Sequence, residues 1–380
     1  MTTTRVLRGK AQFGSHLEPA TIVISADRVD AISRDQESSG NFAYPVQIDD
    51  VDIISAGLID LQVNGGNGHE VGNDPAALDA VSAWLPETGV TSWLPTVVSA
   101  SADFYPGAFD GWDRINPIAG ASPLGYHLEG PFLSAQKKGA HQVRYIEEAN
   151  QKLFESWLEQ SSIRLVTLAP ERDDAIRRIE TLSSHGIVVS LGHTNATYEQ
   201  FRSGIDAGAA KATHLFNTMP TIHHRDPGAM VATLNDDRIT AGLIPDGVHT
   251  HPGMIDLAVR AKGIDGIVIV SDMMSAAGLQ PGSYGLGGQK VTVDDVSARL
   301  GDGTLAGSIL TMDRAVRNLV DWSVVSLGEA LHMCTAVPAR VIRESNRGAL
   351  RAGAFADLTI WSANLHVAET IVGGTTVWRR

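Results

Sequence analysis

Between about residue 56 and residue 345, short apolar runs alternate with segments of helical or loop character. Eight strands alternating with helices favour a closed TIM (β/α)8 barrel over an open parallel sheet. The sequence therefore predicts an α/β protein whose barrel domain spans residues 56–345. The eight runs have the length and the β-branched content of buried parallel strands, and they lie at residues 58–63, 91–98, 124–128, 163–168, 187–191, 209–213, 239–244 and 267–270.

The two ends of the chain have a different pattern. Strand-like runs at residues 21–24 and 29–32 flank a turn, and residues 38–44 are polar and rich in turn-forming residues. The carboxyl-terminal segment repeats the pattern, with runs at residues 356–361, 366–371 and 375–378. We therefore expect residues 1–55 and 346–380 to form one small β-sandwich domain, which brings the two termini together.

Composition and charge restrict the functional class. The chain of 380 residues has a formal net charge of −13, which argues against a nucleic-acid partner and against an anionic membrane surface. Its single cysteine, Cys334, excludes a disulfide framework and a cysteine metal site. No apolar run approaches the ~18 residues of a membrane span, and the first residues lack the apolar segment of a signal peptide. We therefore expect a cytoplasmic protein.

Two histidines occupy equivalent positions in successive β-α-β units. The run at residues 187–191 is followed by His193, and the run at residues 209–213 is followed by His214. Parallel α/β proteins bind ligands and metals at the carboxyl ends of their strands. A single histidine at such a position is more often a hydrogen-bonded loop residue than a ligand. Two at equivalent positions favour metal binding or catalysis.

Two carboxylates are predicted at the same rim of the barrel. Glu129 follows the third strand, and together with the two histidines it forms a three-ligand set for a catalytic divalent metal with one position open for water. Asp272 follows the eighth strand and suits a general base, with a structural helix cap as the alternative role. His127 shares the strand face of Glu129, and a hydrogen-bonded position beneath the site suits it better than a ligand role.

Several motifs in a fixed order carry a resemblance to a known family. The chain resembles the amidohydrolase superfamily, and within it the deacetylases of phosphorylated N-acetyl sugars. The resemblance covers nearly the whole chain, and the order of the motifs over more than 200 residues makes it specific. The motifs are AGLIDLQVNG at 56–65, HLEGPF at 127–132, KGAH at 138–141, LAPE at 168–171, GHTNA at 192–196, THLFNTM at 213–219, RDPG at 225–228, DGVH at 246–249, SD at 271–272 and LAGS at 305–308.

The resemblance implies a role for individual residues. Glu129, His193 and His214 correspond to metal ligands, and Asp272 corresponds to the catalytic aspartate. His141 corresponds to a histidine that helps the metal polarise the acetyl carbonyl. The implied reaction is metal-dependent removal of the acetyl group from N-acetyl-D-glucosamine 6-phosphate, which gives glucosamine 6-phosphate and acetate.

The resemblance also implies the partners of this chain. A small phosphosugar would be the substrate, and the loop at residues 221–227 would reach toward a neighbouring subunit, so we expect a homodimer. Arg225 offers the bidentate geometry that a phosphate accepts well. The positions implied to surround the sugar and its phosphate are Ala140, Asn217, Thr218, Arg225, His249, Leu305, Ala306 and Gly307.

The end of the first strand bears on the number of metal ions. Many members of the superfamily anchor a second ion there with a His-x-His pair, whereas this chain has Gln62 and Asn64. Their neutral amides bind a divalent ion far less well than imidazole, but they can hydrogen-bond water or substrate. We therefore expect one tightly bound divalent ion, most plausibly zinc.

Two alternatives to this reaction remain. The first is another amidohydrolase activity, such as deacetylation of a different N-acetylhexosamine phosphate, ring-amide hydrolysis or deamination, because a fold does not fix a substrate. The second is a barrel that has lost its metal and serves as a binding or assembly scaffold. The presence of all three candidate ligands and of Asp272 argues against the scaffold.

Overall fold

The computed structural model describes residues 4–34, 47–72, 74–112 and 120–380. Its centre is a barrel of eight parallel strands, as the sequence predicts. Neighbouring strands pair in sequence order around the barrel. The strands are Leu58–Val63, Val90–Val98, Tyr126–Glu129, Ile163–Leu168, Val188–Leu191, Lys211–Ala212, Thr240–Leu243 and Ile267–Ile269, and they are called barrel strands one to eight below.

The barrel closes by backbone contacts between the end of its first strand and the residues just past its eighth strand. Met273 forms a parallel bridge with Val63. The Asn64 amide donates to the Met273 carbonyl at 2.8 Å, and the Asp272 amide donates to the Gln62 carbonyl at 3.0 Å. The closure therefore falls at the rim where polar side chains are predicted, and it fixes the backbone of three of them.

The observed strands agree with the predicted runs to within a few residues. Strands one and four have the predicted bounds. The sixth is shorter than predicted, because only Lys211–Ala212 keep ladder pairing with both neighbours before the chain turns away at the rim. Small two-residue strands also occur at Gly65–Gly66, His69–Glu70 and Ser122–Pro123.

Helices cover the outside of the barrel. Their buried faces pack against the strands and form one large apolar cluster with them. Thr197 and Gln200 form a capping box at the start of the helix Tyr198–Asp206, with both of its reciprocal hydrogen bonds. The α-helices of the described residues are Pro75–Trp84, Phe104–Trp112, Val143–Glu148, Gln151–Trp157, Ala175–Ser184, Tyr198–Asp206, Gly228–Asn235, Pro252–Lys262, Met312–Asp321, Leu327–Cys334 and Ala336–Val341, with 3-10 turns at Leu85–Thr88, Ala135–Lys137 and Ile264–Gly266. None of these helices is long and apolar enough to cross a bilayer.

Both ends of the chain contribute to one further sheet, as predicted. Neighbouring strands of this sheet are antiparallel except Thr4–Phe13 and Gln47–Ala56, which pair in parallel. The sheet has its own apolar cluster, separate from that of the barrel, and on this ground we propose residues 1–55 and 346–380 as a domain distinct from the barrel at residues 56–345. The predicted polar turn at residues 38–44 lies outside the described residues. In spatial order the strands are Thr375–Arg379, Val367–Val372, Leu358–Trp361, Gln47–Ala56, Thr4–Phe13, His16–Ser25 and Arg28–Ser33.

A three-stranded antiparallel sheet follows the eighth barrel strand. Its first two strands form a hairpin whose turn is Gly287-Gly288. Both glycines have positive φ, of 57° and 73°, which a two-residue hairpin turn requires. The sheet has a small apolar cluster of its own and lies over the rim of the barrel. Its strands are Gly282–Leu286, Gln289–Val293 and Ala298–Arg299.

A buried carboxylate ties the first strand of the chain to the last two. Glu369 accepts hydrogen bonds from Arg5 at 2.5 and 2.8 Å and from Arg379 at 2.9 Å. Burial alone would raise the pKa of Glu369, but the hydrogen bonds from Arg5 and the other donors outweigh it and hold the pKa at about 2. The carboxylate is therefore ionised in the folded state over the whole physiological range.

We expect Glu369→Gln to lower the free energy of unfolding by about 2 kcal/mol at neutral pH, because the charge-assisted hydrogen bonds are lost. The folded pKa lies below the unfolded value of 4.5, so this contribution is complete above that pH and is lost as the pH falls toward 2. Urea unfolding followed by circular dichroism over this pH range measures both effects. The control is Glu18→Gln, in an exposed pair with Arg34 at 3.5 Å, which should cost under about 0.5 kcal/mol. An equal loss in both variants would contradict the role of Glu369.

Candidate metal and active site

Three predicted ligand side chains meet at the carboxyl ends of barrel strands three, five and six. Glu129 Oε1 lies 3.2 Å from His214 Nε2 and 3.4 Å from His193 Nε2. The two Nε2 atoms are 3.1 Å apart. All three side chains are buried. They converge because parallel barrel strands all end at one rim.

The spacing of these atoms fits a divalent cation. Zinc–ligand distances of about 2.0–2.1 Å in a tetrahedral site place neighbouring ligand atoms about 3.3 Å apart, close to the separations found between Glu129, His193 and His214. The Lys137 carbonyl accepts a hydrogen bond from His193 Nδ1 at 3.0 Å, which leaves the lone pair of Nε2 free to bind a metal. Among the described residues, these three form the group of side chains that could hold a metal ion.

The charge on Glu129 suits the same role. Burial alone would raise the pKa of this carboxyl, but hydrogen bonds from His193 and His214 hold it well below its usual range. Glu129 is therefore an anion in a buried setting. A buried anion flanked by two imidazoles is stabilised further by a cation.

Asp272 lies beside this group and is held by two amide side chains. Gln62 Nε2 donates to Asp272 Oδ1 at 3.0 Å, and Asn64 Nδ2 donates to the same oxygen at 2.8 Å. Gln62 Nε2 also donates to Glu129 Oε1 at 2.9 Å, so it links the two carboxylates. Burial and the negative charge of Glu129 raise the pKa of Asp272 to about 6. A carboxyl with such a pKa can both accept and release a proton near neutral pH.

His141 faces the same group from a loop after barrel strand three. Its Nε2 is 3.9 Å from Glu129 Oε2. The backbone amide of Ser99 donates to His141 Nδ1 at 3.2 Å, so the proton of the neutral ring is on Nε2. Burial, and next the charge of His193, lower the pKa of His141 to about 3. The site therefore contains a neutral N–H donor aimed at its centre.

The backbone at the rim is strained where the site residues stand. His193, His214 and Asp272 have φ values of 47°, 27° and 51°, in the left-handed region that residues with a side chain rarely adopt. Such conformations persist where the surrounding structure imposes them, and they concentrate at functional sites. Each of these side chains therefore owes its direction to a sharp turn at the end of its strand.

A cavity of about 240 Å³ opens over these residues. His249 on its wall is held by Asp246, whose Oδ2 accepts from His249 Nδ1 at 2.6 Å. Burial alone would raise the pKa of Asp246, but the hydrogen bond from His249 lowers it below its usual value. The lining includes the site residues already named and these further positions from the motifs: Ala140, Asn217, Thr218, Leu305 and Gly307.

The sequence model that describes the amidohydrolase family matches residues 53–377, which is most of the chain. The chain belongs to the amidohydrolase family. Amidohydrolases are metal-dependent, which agrees with the buried group formed by Glu129, His193 and His214.

Amidohydrolases of one activity class share much of this sequence. The chain is 36% identical over 364 residues to the N-acetylglucosamine-6-phosphate deacetylase of Lysinibacillus sphaericus, covering 92% of this chain and 89% of that one. It is also 36% identical over 333 residues to the N-acetylgalactosamine-6-phosphate deacetylase of Escherichia coli O157:H7, covering 86% of this chain and 88% of that one.

A solved amidohydrolase structure has the same fold over nearly the whole chain. A mutant N-acetyl-D-glucosamine-6-phosphate deacetylase from Mycobacterium smegmatis, in complex with N-acetyl-D-glucosamine-6-phosphate, superposes with a TM-score of 0.90 at 32% identity. The superposition covers 99% of each chain. The likeness therefore includes the terminal sheet as well as the amidohydrolase barrel.

Three of the residues assigned from the motifs do not line the cavity. Arg225 lies exposed on its loop, where its Nη1 is 2.7 Å from His224 Nε2. Ala306 is fully buried in the apolar cluster beneath the three-stranded sheet. Gln62 is also fully buried, and it contacts the site through its hydrogen bonds to Glu129 and Asp272.

Some lining residues were not identified from the sequence. Ser99 stands directly after barrel strand two, so the strand-end rule that selected the other residues could have found it. Leu286, Gly287 and Gln289 belong to the hairpin, for which the sequence has no strong strand signal. Thr304 precedes the LAGS motif and also lines the cavity.

Proposed function

We propose that this amidohydrolase removes the acetyl group from N-acetyl-D-glucosamine 6-phosphate, giving glucosamine 6-phosphate and acetate. The observation that carries the proposal is the buried group of Glu129, His193 and His214 with Asp272 beside it. This group lies in a chain 36% identical over most of its length to a deacetylase of that name. The family resemblance sets the reaction class, and the arrangement of these four side chains supports amide hydrolysis.

An acetamide is a weak electrophile, so its hydrolysis needs both a polarised carbonyl and an activated water. A divalent cation held by Glu129, His193 and His214 would supply Lewis acidity for both needs. Asp272 accepts a proton from the attacking water through its carboxylate. It then returns this proton to the nitrogen of the departing amine, which is otherwise a poor leaving group.

The neighbours of Asp272 and the ring of His141 complete the chemistry. Gln62 and Asn64 both donate to Oδ1 of Asp272, which leaves Oδ2 to receive the proton. His141 Nε2–H donates to the carbonyl oxygen, on which negative charge develops during attack. The Ser99 amide holds this ring in the required tautomer.

We propose one metal ion per chain, with zinc as the preferred ion. Gln62 and Asn64 stand where a second ion would need ligands, but their N–H groups point to the carboxylate of Asp272. A second cation would need their oxygens turned to the site instead, which would break both hydrogen bonds. Two nitrogen ligands and one carboxylate at this spacing suit zinc in a catalytic site.

We further propose that the active form is a homodimer in which Arg225 binds the substrate phosphate in a partner's cavity. Arg225 is exposed within one chain and lies on a polar loop with His223 and His224. The cavity lining contains no arginine or lysine among the described residues. A phosphate on a protein of net charge −13 needs a cation nearby.

A panel of substrates tests the reaction and the phosphate site together. Acetate release should be fastest with N-acetyl-D-glucosamine 6-phosphate, and the sugar without phosphate should have a KM at least ~10-fold higher, because a charge-assisted contact is lost. Arg225→Ala should raise KM for the phosphorylated sugar far more than for the free sugar. A fully active monomer in sedimentation would contradict the shared site.

The same panel of substrates decides between N-acetyl-D-glucosamine 6-phosphate and N-acetyl-D-galactosamine 6-phosphate, for which the two relatives are named. The identity to the N-acetylgalactosamine-6-phosphate deacetylase is equally high, so the 4-epimer is the second candidate substrate. A kcat/KM larger for N-acetyl-D-galactosamine 6-phosphate would replace the proposed substrate by its epimer. No acetate release from either sugar phosphate by the metal-replete protein would overturn the proposed function.

A further inference from the structure

A second cavity adjoins the one over the metal-ligand group. It has a volume of about 390 Å³ and lies between the hairpin turn and the loops after barrel strands one and two. Val98, Ser99 and Gly287 line both cavities. These three residues therefore form a partition with space on each side, and nothing in the proposed reaction uses the second cavity.

Val98 meets the hairpin turn within this partition. A Cβ atom placed on Gly287 would stand 3.2 Å from Cγ2 of Val98, so the valine side chain rests against the backbone of the hairpin turn. Val98 also packs in the apolar cluster that contains Leu286 and Ala140. A shorter side chain at position 98 would therefore lose this contact with the turn.

The hairpin side of the partition is held in place by three hydrogen bonds. The Gly287 amide donates to Glu70 Oε1 at 2.5 Å, and the Gly287 carbonyl accepts from Gln142 Nε2 at 2.6 Å. Gln289 Nε2 donates to the Ala140 carbonyl at 2.5 Å. These bonds tie the turn to the loops on both sides of the mouth. The turn therefore cannot move away from Val98 without breaking them.

The roles assigned to His141 and Asp272 indicate where the acyl group would lie. The carbonyl oxygen is directed to His141, which Ser99 holds, and the nitrogen is directed to Asp272, which protonates it. The remaining substituent on the carbonyl carbon is the methyl group. Beside Ser99, the cavity offers it the apolar side chains of Val98 and Leu286. An apolar methyl group is stabilised by such a contact.

We propose that Val98, closed against the Gly287 turn, is an acyl-length filter that admits acetyl and rejects longer acyl groups, and that the second cavity accepts a longer chain once Val98 is shortened. The inference rests on the proposed deacetylation and adds a residue that sets its specificity. An added methylene in a closed apolar pocket changes selectivity by about 10–200-fold. Two added methylenes against this wall should therefore be strongly rejected.

The test compares kcat/KM for glucosamine 6-phosphates carrying N-acetyl, N-propanoyl and N-butanoyl groups. The wild-type protein should prefer acetyl over butanoyl by at least ~100-fold. Val98→Ala should raise the butanoyl-to-acetyl ratio at least ~10-fold. The matched control is Val97→Ala, because Val97 lines only the second cavity and leaves the partition intact; its ratio should stay within about twofold of wild type.

Each outcome of these measurements either supports or overturns the acyl-length filter. A wild-type protein that hydrolyses butanoyl and acetyl substrates equally well has no filter, which overturns the proposal even if Val98→Ala fails to fold. Val98→Ile adds a methylene to the wall and should lower the propanoyl-to-acetyl ratio below that of wild type; an unchanged ratio counts against the filter. Equal ratios in Val98→Ala and Val97→Ala also overturn it. Acetate release from the N-acetyl substrate with no acyl-length effect would remove the filter alone, whereas no acetate release at all would remove the proposed function with it.

Discussion

Asp272→Asn is expected to lower kcat by about 10³-fold or more, while the protein keeps its metal. Asparagine has nearly the same shape, and its side-chain oxygen can still accept from Gln62 Nε2 and Asn64 Nδ2, so the geometry of the rim should survive. It cannot take a proton from water, and general-base contributions of about 10²–10⁴ are typical. Steady-state kinetics and metal analysis on the same sample measure the two quantities.

Asp60 provides a matched control for this substitution. It is also fully buried in the barrel interior, and its Oδ1 accepts from the Gln62 and Ser271 amides. Asp60→Asn removes a buried carboxylate near the rim without removing the proposed base. We expect its kcat to stay within about tenfold of wild type, well short of the effect of losing a general base. Loss of metal on Asp272→Asn would instead identify Asp272 as a ligand.

The location of the candidate site could be predicted because it follows from topology. In a parallel barrel every strand ends at the same rim, so polar residues directly after separate apolar runs must come close in space. Glu129, His193 and His214 are 85 residues apart at most in sequence, yet their ligand atoms lie within 4.8 Å of one another. Strand position alone was sufficient to bring them together.

The hairpin over the rim could not be predicted in the same way. Its strands Gly282–Leu286 and Gln289–Val293 are rich in glycine and polar residues, and most of their side chains remain at least partly exposed. The first has neither the continuous apolar run nor the regular alternation that predicts a strand. The second alternates between polar and apolar residues, but only over the four residues 290–293. The hairpin is stabilised by tertiary hydrogen bonds to Glu70 and Gln142, which a sequence pattern does not reveal.

The orientation of individual side chains also could not be predicted from the sequence. Gln62 and Asn64 were expected to hydrogen-bond water or substrate, and the structure shows them donating to Asp272. Lys211 is fully buried inside the barrel, with no hydrogen-bond partner for its Nζ among the described residues. Burial lowers the pKa of Lys211 to about 8. Lysine side chains are almost always exposed, so the sequence gives no reason to expect that Lys211 is buried.

Removal of the metal is expected to abolish activity. Without the cation, water is a weak nucleophile at neutral pH, and in the proposed mechanism only His141 would polarise the carbonyl. A Lewis acid supplies several kcal/mol of transition-state stabilisation, so the loss should be at least ~10³-fold. His214→Ala should have the same effect and should leave less than one equivalent of bound metal, because it removes one of the three proposed ligands. His249→Ala is the control, since His249 lines the cavity outside the ligand group and should leave the metal in place.

Titration of the metal-free protein with zinc, followed by acetate release from N-acetyl-D-glucosamine 6-phosphate, tests the central claim most directly. Activity should rise linearly and level off at one equivalent of zinc per chain, and dialysis against a chelator should reverse it. Full activity without added metal, or a plateau reached only at two equivalents, would contradict a single catalytic ion held by Glu129, His193 and His214.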